Sequence, residues 1–248
     1  MNVLSLFAGI GGLELGLERA GMTLVGQVEL DPFCRSILAR HWPEVPRHDD
    51  VRTSPAWWAS KPRPVVDVVA GGFPCQPFSA AGRRRGVADD RWGWPWMADV
   101  VRHVRPRYVL VENVAAILAD HTAFGRLLAD LATLGFDARW GVLSACAVGA
   151  PHVRSRLFLV AHPHGVDGPP WLGSGLEGPV PAGHGGESPW GHPSHGLLAA
   201  ARHGGRVAHG LPDGLEPARV RALGNAVVPQ VAEQRRPTHP RRREQVTT

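Results

Sequence analysis

Residues 3–12 read Val3-Leu4-Ser5-Leu6-Phe7-Ala8-Gly9-Ile10-Gly11-Gly12, a β-rich run that passes straight into a glycine loop. The run predicts a strand over residues 3–7. Beyond the loop the chain reads as a helix to Ala20, closed by Gly21 as its C-cap. Glycines at such a junction let backbone approach a ligand, and the helix N-terminus offers unpaired N–H groups. The next strand, residues 23–29, ends on Glu29, where a carboxylate can accept both hydroxyls of a ribose. Together these features suit a nucleotide-containing ligand without separating NAD from S-adenosylmethionine. A tight turn beside a surface acid is the plain alternative.

Outward from this stretch, short β-rich runs alternate with helical ones up to about residue 161. Pro32 opens a helix that runs to His41. A buried-type strand over 65–70 leads into Gly71-Gly72, a helix covers 97–104, and a strand covers 108–112. A helix over 123–134 ends at Gly135, and strands over 139–144 and 157–161 complete the set. This alternation predicts an α/β fold built on a Rossmann-like, doubly wound, mostly parallel sheet, with ligands beyond the carboxyl ends of the strands. From 162 to 215 Gly, Pro and His dominate, and only 196–202 suggests a helix. A short loop-rich or poorly ordered insertion is expected there. Regular sequence returns at 217–234, and the Pro- and Arg-rich tail 235–248 is expected to be disordered. The expected division is residues 1–161 plus 216–234 as one unit, the insertion 162–215, and the tail.

Composition narrows the class. At 248 residues the chain has room for one substantial domain and a small appendage. The net charge of +5 mildly favours a polyanionic partner. Lys61 is the only lysine, so nearly all positive charge is arginine, whose fork suits phosphates and base edges whatever its codon origin. Cys34, Cys75 and Cys146 are too few and scattered for a disulfide framework or a zinc site. They fit a reducing cytosol, where a free thiol can act as a nucleophile. His162, His164, His184, His192 and His195 are irregularly spaced and read as solvated loop residues, so no metal is expected. No stretch is apolar enough to span a membrane, and Glu14 and Glu18 interrupt any signal-like run. A cytoplasmic protein without membrane contact is expected.

The chemistry-bearing residues lie at strand ends. Gly71-Gly72-Phe73-Pro74-Cys75-Gln76-Pro77-Phe78-Ser79 follows a buried-type strand. A proline just before a cysteine fixes the backbone and presents the thiol to the ligand crevice. A structural cysteine would more often sit inside an apolar element, as Cys34 and Cys146 can. Glu112-Asn113-Val114 ends another strand, so its carboxylate can face the same crevice, although a capping role would also suit a lone glutamate. Thiol and carboxylate together make a nucleophile and proton-donor pair.

These motifs resemble those of the DNA (cytosine-5-)methyltransferase family, of bacterial or phage type. Phe-Ala-Gly-x-Gly-Gly, the Pro-Cys-Gln-Pro-Phe-Ser loop, Glu-Asn-Val, Arg154-Ser155-Arg156 and Gly224-Asn225-Ala226-Val227-Val228-Pro229 stand in the family's order over residues 1–161 and 217–231. The resemblance implies a class I S-adenosylmethionine-dependent methyltransferase fold. It also implies Cys75 as nucleophile at cytosine C6, Glu112 as the group on N3, and Arg156 on the pyrimidine carbonyl. Arg154 and Asn113 would support the site. S-adenosylmethionine would lie against Phe7, Gly9 and Gly11, with Glu29 on the ribose and Leu30 against the adenine. Asp50, or Asp49 in the adjoining register, would meet the adenine amino group. Val51 and Pro74 would complete the lining, and Asn225 and Val227 would return to close it. Double-stranded DNA is the implied substrate, with the cytosine flipped out to reach the thiol. A restriction–modification or phage system is the implied setting, with a cognate restriction endonuclease as a further partner. A monomer is expected, because one flipped base needs one pocket.

The family usually carries a sizeable target-recognition domain before its last motif, opened by Arg-Leu-Gln-Gly-Phe-Pro. Here Gly210-Leu211-Pro212-Asp213 is at best a remnant, leaving a short, degenerate recognition region at 162–215. Two other readings follow: an RNA-directed relative with the same chemistry, or a decayed homologue that binds DNA or cofactor without turnover. Intact Cys75, Glu112 and Arg156 argue against decay. A generic NAD oxidoreductase would leave the Pro-Cys-Gln loop without a purpose.

Overall fold

The structure is a computed structural model that describes residues 1–74, 92–150, 152–166, 222 and 225–233. In chain order its elements are β1 (Asn2–Leu6), α1 (Gly12–Arg19), β2 (Thr23–Val28), α2 (Pro32–His41), β3 (Arg47–His48), α3 (Ser54–Ala59) and β4 (Val68–Gly71). They continue with α4 (Trp94–Val104), β5 (Tyr108–Val114), α5 (His121–Thr133), β6 (Phe136–Ser144), β7 (Ser155–Pro163) and α6 (Pro229–Glu233). The strands form one sheet in the order β3-β2-β1-β4-β5-β7-β6. β1 to β5 pair in parallel, and β7 runs antiparallel between β5 and β6. Strand order reverses between β1 and β4, which opens a crevice at their carboxyl ends.

Both faces of the sheet are covered, so the central strands are apolar throughout rather than alternating. On one face Leu4, Leu6, Val69, Val109 and Val111 meet Trp94, Met97 and Val101 of α4 and Leu127 and Leu131 of α5. On the other, Val3, Val68, Ala70, Leu110 and Phe158 meet Leu13 and Leu17 of α1 and Val231 and Ala232 of α6. The C-terminal segment lies flush on α1 because Gly12 and Gly16 leave room. A Cβ on Gly16 would sit 2.5 Å from the Ala232 Cβ and the Pro229 carbonyl, and one on Gly12 would overlap the Val227 carbonyl.

Local signals account for most boundaries. Gly21 adopts φ 81°, and the N–H groups of Gly21 and Met22 return to the carbonyls of Glu18 and Leu17, closing α1. The Asp31 carboxylate accepts from the Phe33 and Cys34 N–H groups, with Pro32 opening α2. Several expectations need adjustment. α4 starts three residues earlier than read, at Trp94, because Pro95 is tolerated in a first turn. The strand read over 65–70 begins only at Val68, and Val65 is 80% exposed. β6 and β7 are longer than expected, pairing from Phe136↔Pro163 to Ser144↔Ser155. β3 and α3 are additional to the elements that the sequence pattern predicts. The helix expected over 196–202, most of the insertion and the tail fall outside the described residues. Among the described residues no helix is long and apolar enough to cross a membrane.

Glu14 of α1 is fully buried. The Ser5 hydroxyl donates to its Oε1 at 2.5 Å, while Oε2 has no partner among the described residues. Burial pushes this carboxyl up to about 7 against an ordinary 4.5; the Ser5 bond opposes the shift, and Glu29 and Glu18 add to it. The folded chain therefore keeps a proton that the unfolded chain releases, so stability is lost as pH rises between these values. The loss amounts to about 3 kcal/mol from this group. Urea unfolding midpoints should fall between pH 5 and pH 8 in the native chain. The fall should be much smaller in Glu14→Gln, whose side chain has no proton to release; parallel curves would contradict this.

Candidate active site

The glycine loop joins β1 to α1 with Phe7, Gly9 and Gly11 at φ 55°, 57° and 92°. A positive φ at a phenylalanine stores strain of about 1–3 kcal/mol, a feature that clusters at ligand sites. The loop is tied to its neighbour by Ala8 N–H to the Val28 carbonyl at 3.1 Å. The Glu29 carboxylate bridges the two strand ends: Oε2 accepts from Gly9 N–H at 2.7 Å and Oε1 from Asp31 N–H at 2.8 Å. Each oxygen keeps a second lone pair. Beside it the Leu30 residue is 70% exposed. Phe7, Gly9, Gly11, Glu29 and Leu30 are thus brought to the carboxyl ends of β1 and β2.

Asp50 lies just beyond β3, but its carboxylate is occupied by Arg52. The Arg52 Nε reaches both oxygens at 2.9 and 3.0 Å, and Nη2 reaches Oδ2 at 2.6 Å. The hydrogen bonds from Arg52 hold this carboxyl below its usual range. Asp49, the alternative register, is more exposed and lies 3.7 Å from the His48 ring. The Val51 side chain is turned into the core. From the C-terminal segment, Val227 rests against Gly12 at the start of α1, whereas Asn225 is exposed. Arg154 anchors this segment by donating from Nη2 to the Ala226 carbonyl at 2.8 Å.

Across the crevice, Glu112 is buried near the end of β5, and Arg156 reaches it from β7 with Nε 3.1 Å from Oε1. The antiparallel register, Glu112↔Phe158 and Val114↔Arg156, sets that approach. Burial raises the Glu112 carboxyl above its ordinary range, and the Arg156 and Arg154 guanidiniums oppose the rise. A Cβ on Gly72 would sit 2.6 Å from Glu112 Oε2, so a side chain there would push this carboxylate out of its present position. Asn113 donates from Nδ2 to the Phe73 carbonyl at 3.1 Å, clamping the backbone two residues before Cys75. Pro74 and Phe7 both lie against Gly93, at 2.9 and 3.0 Å from its ideal Cβ position. Cys75 itself falls outside the described residues.

Sequence reasoning missed Gly72 and Gly93 as close-approach positions, the Asp50–Arg52 pair, and Arg35. Arg35 carried a usable signal, standing four residues after the α2 cap Asp31. Among the described residues no cluster of His, Cys, Asp and Glu is arranged to hold a metal.

Known proteins are similar to this chain in sequence and fold. The model of the C-5 cytosine-specific DNA methylase family matches residues 1–170. The type II methyltransferase M2.BsuMI of Bacillus subtilis is 34% identical over 168 residues, covering 65% of this chain and 42% of that protein. M.NgoBI of Neisseria gonorrhoeae is 32% identical over 162 residues, covering 64% and 50%. The crystal structure of the Schizosaccharomyces pombe Dnmt2 methyltransferase superposes with a TM-score of 0.55 at 25% identity, covering 68% of this chain and 52% of that one. The chain thus spans half or less of the length of these curated relatives. The match takes in the glycine loop, the Glu112 strand and the Arg154–Arg156 pair together, and the chain belongs to the C-5 cytosine-specific DNA methylase family.

Proposed function

We propose that this chain transfers a methyl group from S-adenosylmethionine to C5 of a flipped-out cytosine in double-stranded DNA, through a covalent bond from Cys75 to C6. The observation that carries the reading is the buried Glu112–Arg156 pair, set beside the backbone that Asn113 clamps two residues before Cys75. Type II methyltransferases among the relatives favour a restriction–modification setting, with a cognate endonuclease as partner. A monomer working in the cytoplasm fits a single pocket per flipped base. Residues 1–161 with 216–234 would form the catalytic unit, and 162–215 a reduced target-recognition region.

The residues at the first strand ends fit the cofactor. Glu29 keeps a free lone pair on each oxygen for two ribose hydroxyls, and Leu30 offers an exposed apolar side chain to the adenine. Phe7, Gly9, Gly11 and Pro74 would line the space between, with Val227 and Asn225 closing it. Asp50 would accept from the adenine amino group by sharing its carboxylate with Arg52, and Val51 would contribute backbone rather than side chain. When bound, S-adenosylmethionine supplies an electrophilic methyl on a sulfonium.

Cytosine C5 is too weak a nucleophile to take that methyl unaided. Addition of the Cys75 thiolate forms a C6–S bond and turns C5 into an enamine carbon. The proton held by Glu112 moves to N3 and takes up the negative charge that the addition places on the ring. Burial suits Glu112 to this task, because it makes the carboxyl hold a proton more readily than an exposed one, against the opposing pull of Arg156 and Arg154. Arg156 would hold the pyrimidine carbonyl, and Arg154 would lock the C-terminal segment over the site. After methylation, loss of the C5 proton to a base breaks the C6–S bond and returns the thiolate, and N3 gives its proton back to the Glu112 carboxylate.

With labelled S-adenosylmethionine, the native chain should label cytosine-containing duplex DNA and Cys75→Ser should not; equal labelling by both would refute the nucleophile. Glu112→Gln should slow single-turnover methylation by a factor on the order of 10²–10⁴ while DNA affinity changes little. A rate within threefold of native would remove Glu112 from the chemistry.

A further inference from the structure

The ribose-facing carboxylate has a support that lies one helical turn away. The Arg35 Nη1 donates to the Glu29 carbonyl at 2.9 Å and to the Leu30 carbonyl at 2.6 Å. Arg35 stands in the first turns of α2, whose cap Asp31 donates its own N–H to Glu29 Oε1. The junction between β2 and α2 is therefore pinned at consecutive carbonyls by one nitrogen, and at the carboxylate by two N–H groups. A strand-to-helix junction left to itself would leave these carbonyls to water and free the peptide between Glu29 and Leu30 to rotate. The Leu30 carbonyl that Arg35 holds and the Asp31 N–H that donates to Glu29 Oε1 belong to one planar peptide, so rotation there withdraws a donor from the carboxylate.

We infer that Arg35 is a positioning residue for cofactor recognition: it fixes the Glu29–Leu30 peptide so that the Glu29 carboxylate meets the two ribose hydroxyls. The inference rests on the cofactor reading above. Arg35 Nη1 is engaged by these two carbonyls, so its expected effect is on cofactor affinity through Glu29 rather than on turnover at saturation. One nitrogen makes both bonds, so a lysine ammonium can replace it in part, whereas methionine keeps the aliphatic stem and removes the donor.

The test is calorimetric binding of S-adenosylhomocysteine and of its analogue lacking the ribose hydroxyls, to the native full chain, Arg35→Met and Arg35→Lys. The native chain should bind the hydroxylated ligand about tenfold or more tighter, as expected for hydrogen bonds to a charged group. Arg35→Met should lose most of that ratio, and Arg35→Lys should retain most of it. A general loosening of structure would weaken both ligands alike, leaving the ratio at its native value, and that result overturns the assignment of Arg35. If Arg35→Met shows no cooperative melt, Arg35→Gln, which can serve only one carbonyl, takes its place with the same criterion. A native chain indifferent to the ribose hydroxyls would overturn the reading of Glu29 itself, and the role of Arg35 with it.

Discussion

A carboxylate buried near the carboxyl end of a central strand must be neutralised or paired, and in this chain Arg156 does the pairing for Glu112. The pair exists because β7 enters the sheet antiparallel beside β5, which sets Arg156 opposite Val114, two residues beyond Glu112. The same strand end carries Asn113, whose amide holds the Phe73 carbonyl. Gly72 then leaves the carboxylate in a position that a side chain there would crowd. Removing Arg156 would take away the guanidinium that contacts this buried carboxyl and leave only the charge of Arg154 acting on it, and filling Gly72 would displace it. The rest of the crevice is arranged around that point.

The second half of the crevice depends on chain segments far apart in sequence. Gly12 and Gly16 present a bare face of α1, onto which the Val227 carbonyl, Pro229 and Ala232 settle without intervening side chains. Arg154 ties the same segment to the start of β7. The C-terminal residues therefore complete the sheet's second core layer directly beside the glycine loop. The glycine spacing in α1 answers to that close helix–backbone contact.

Much of this was legible in the residues. The glycine loop, the acid at the end of the next strand and the Glu-Asn strand end all fall at the carboxyl edge of the parallel strands, as their sequence positions predict. Those signals are local in sequence and repeat with the strand–helix period. Glu14 was not legible, since a glutamate in an apolar helix face reads as an interruption, yet it is wholly buried against Ser5. Nor was the Asp50–Arg52 pair, where two charges of opposite sign two residues apart close on each other. β3 and α3 escaped because two and six residues carry too little periodicity. The need for glycine at position 72 arises only when β5 is brought alongside β4. Contacts between distant elements were invisible wherever they depended on register rather than on residue type.

The covalent step offers the most direct test of the account. A duplex whose target cytosine carries fluorine at C5 cannot lose a C5 proton after methylation, so the C6–S bond should persist. Incubation with S-adenosylmethionine followed by peptide mapping by mass spectrometry should find the methylated base attached to Cys75. Attachment at Cys34 or Cys146, or methylation of ordinary duplex DNA with no trapped species on the fluorinated one, would contradict it.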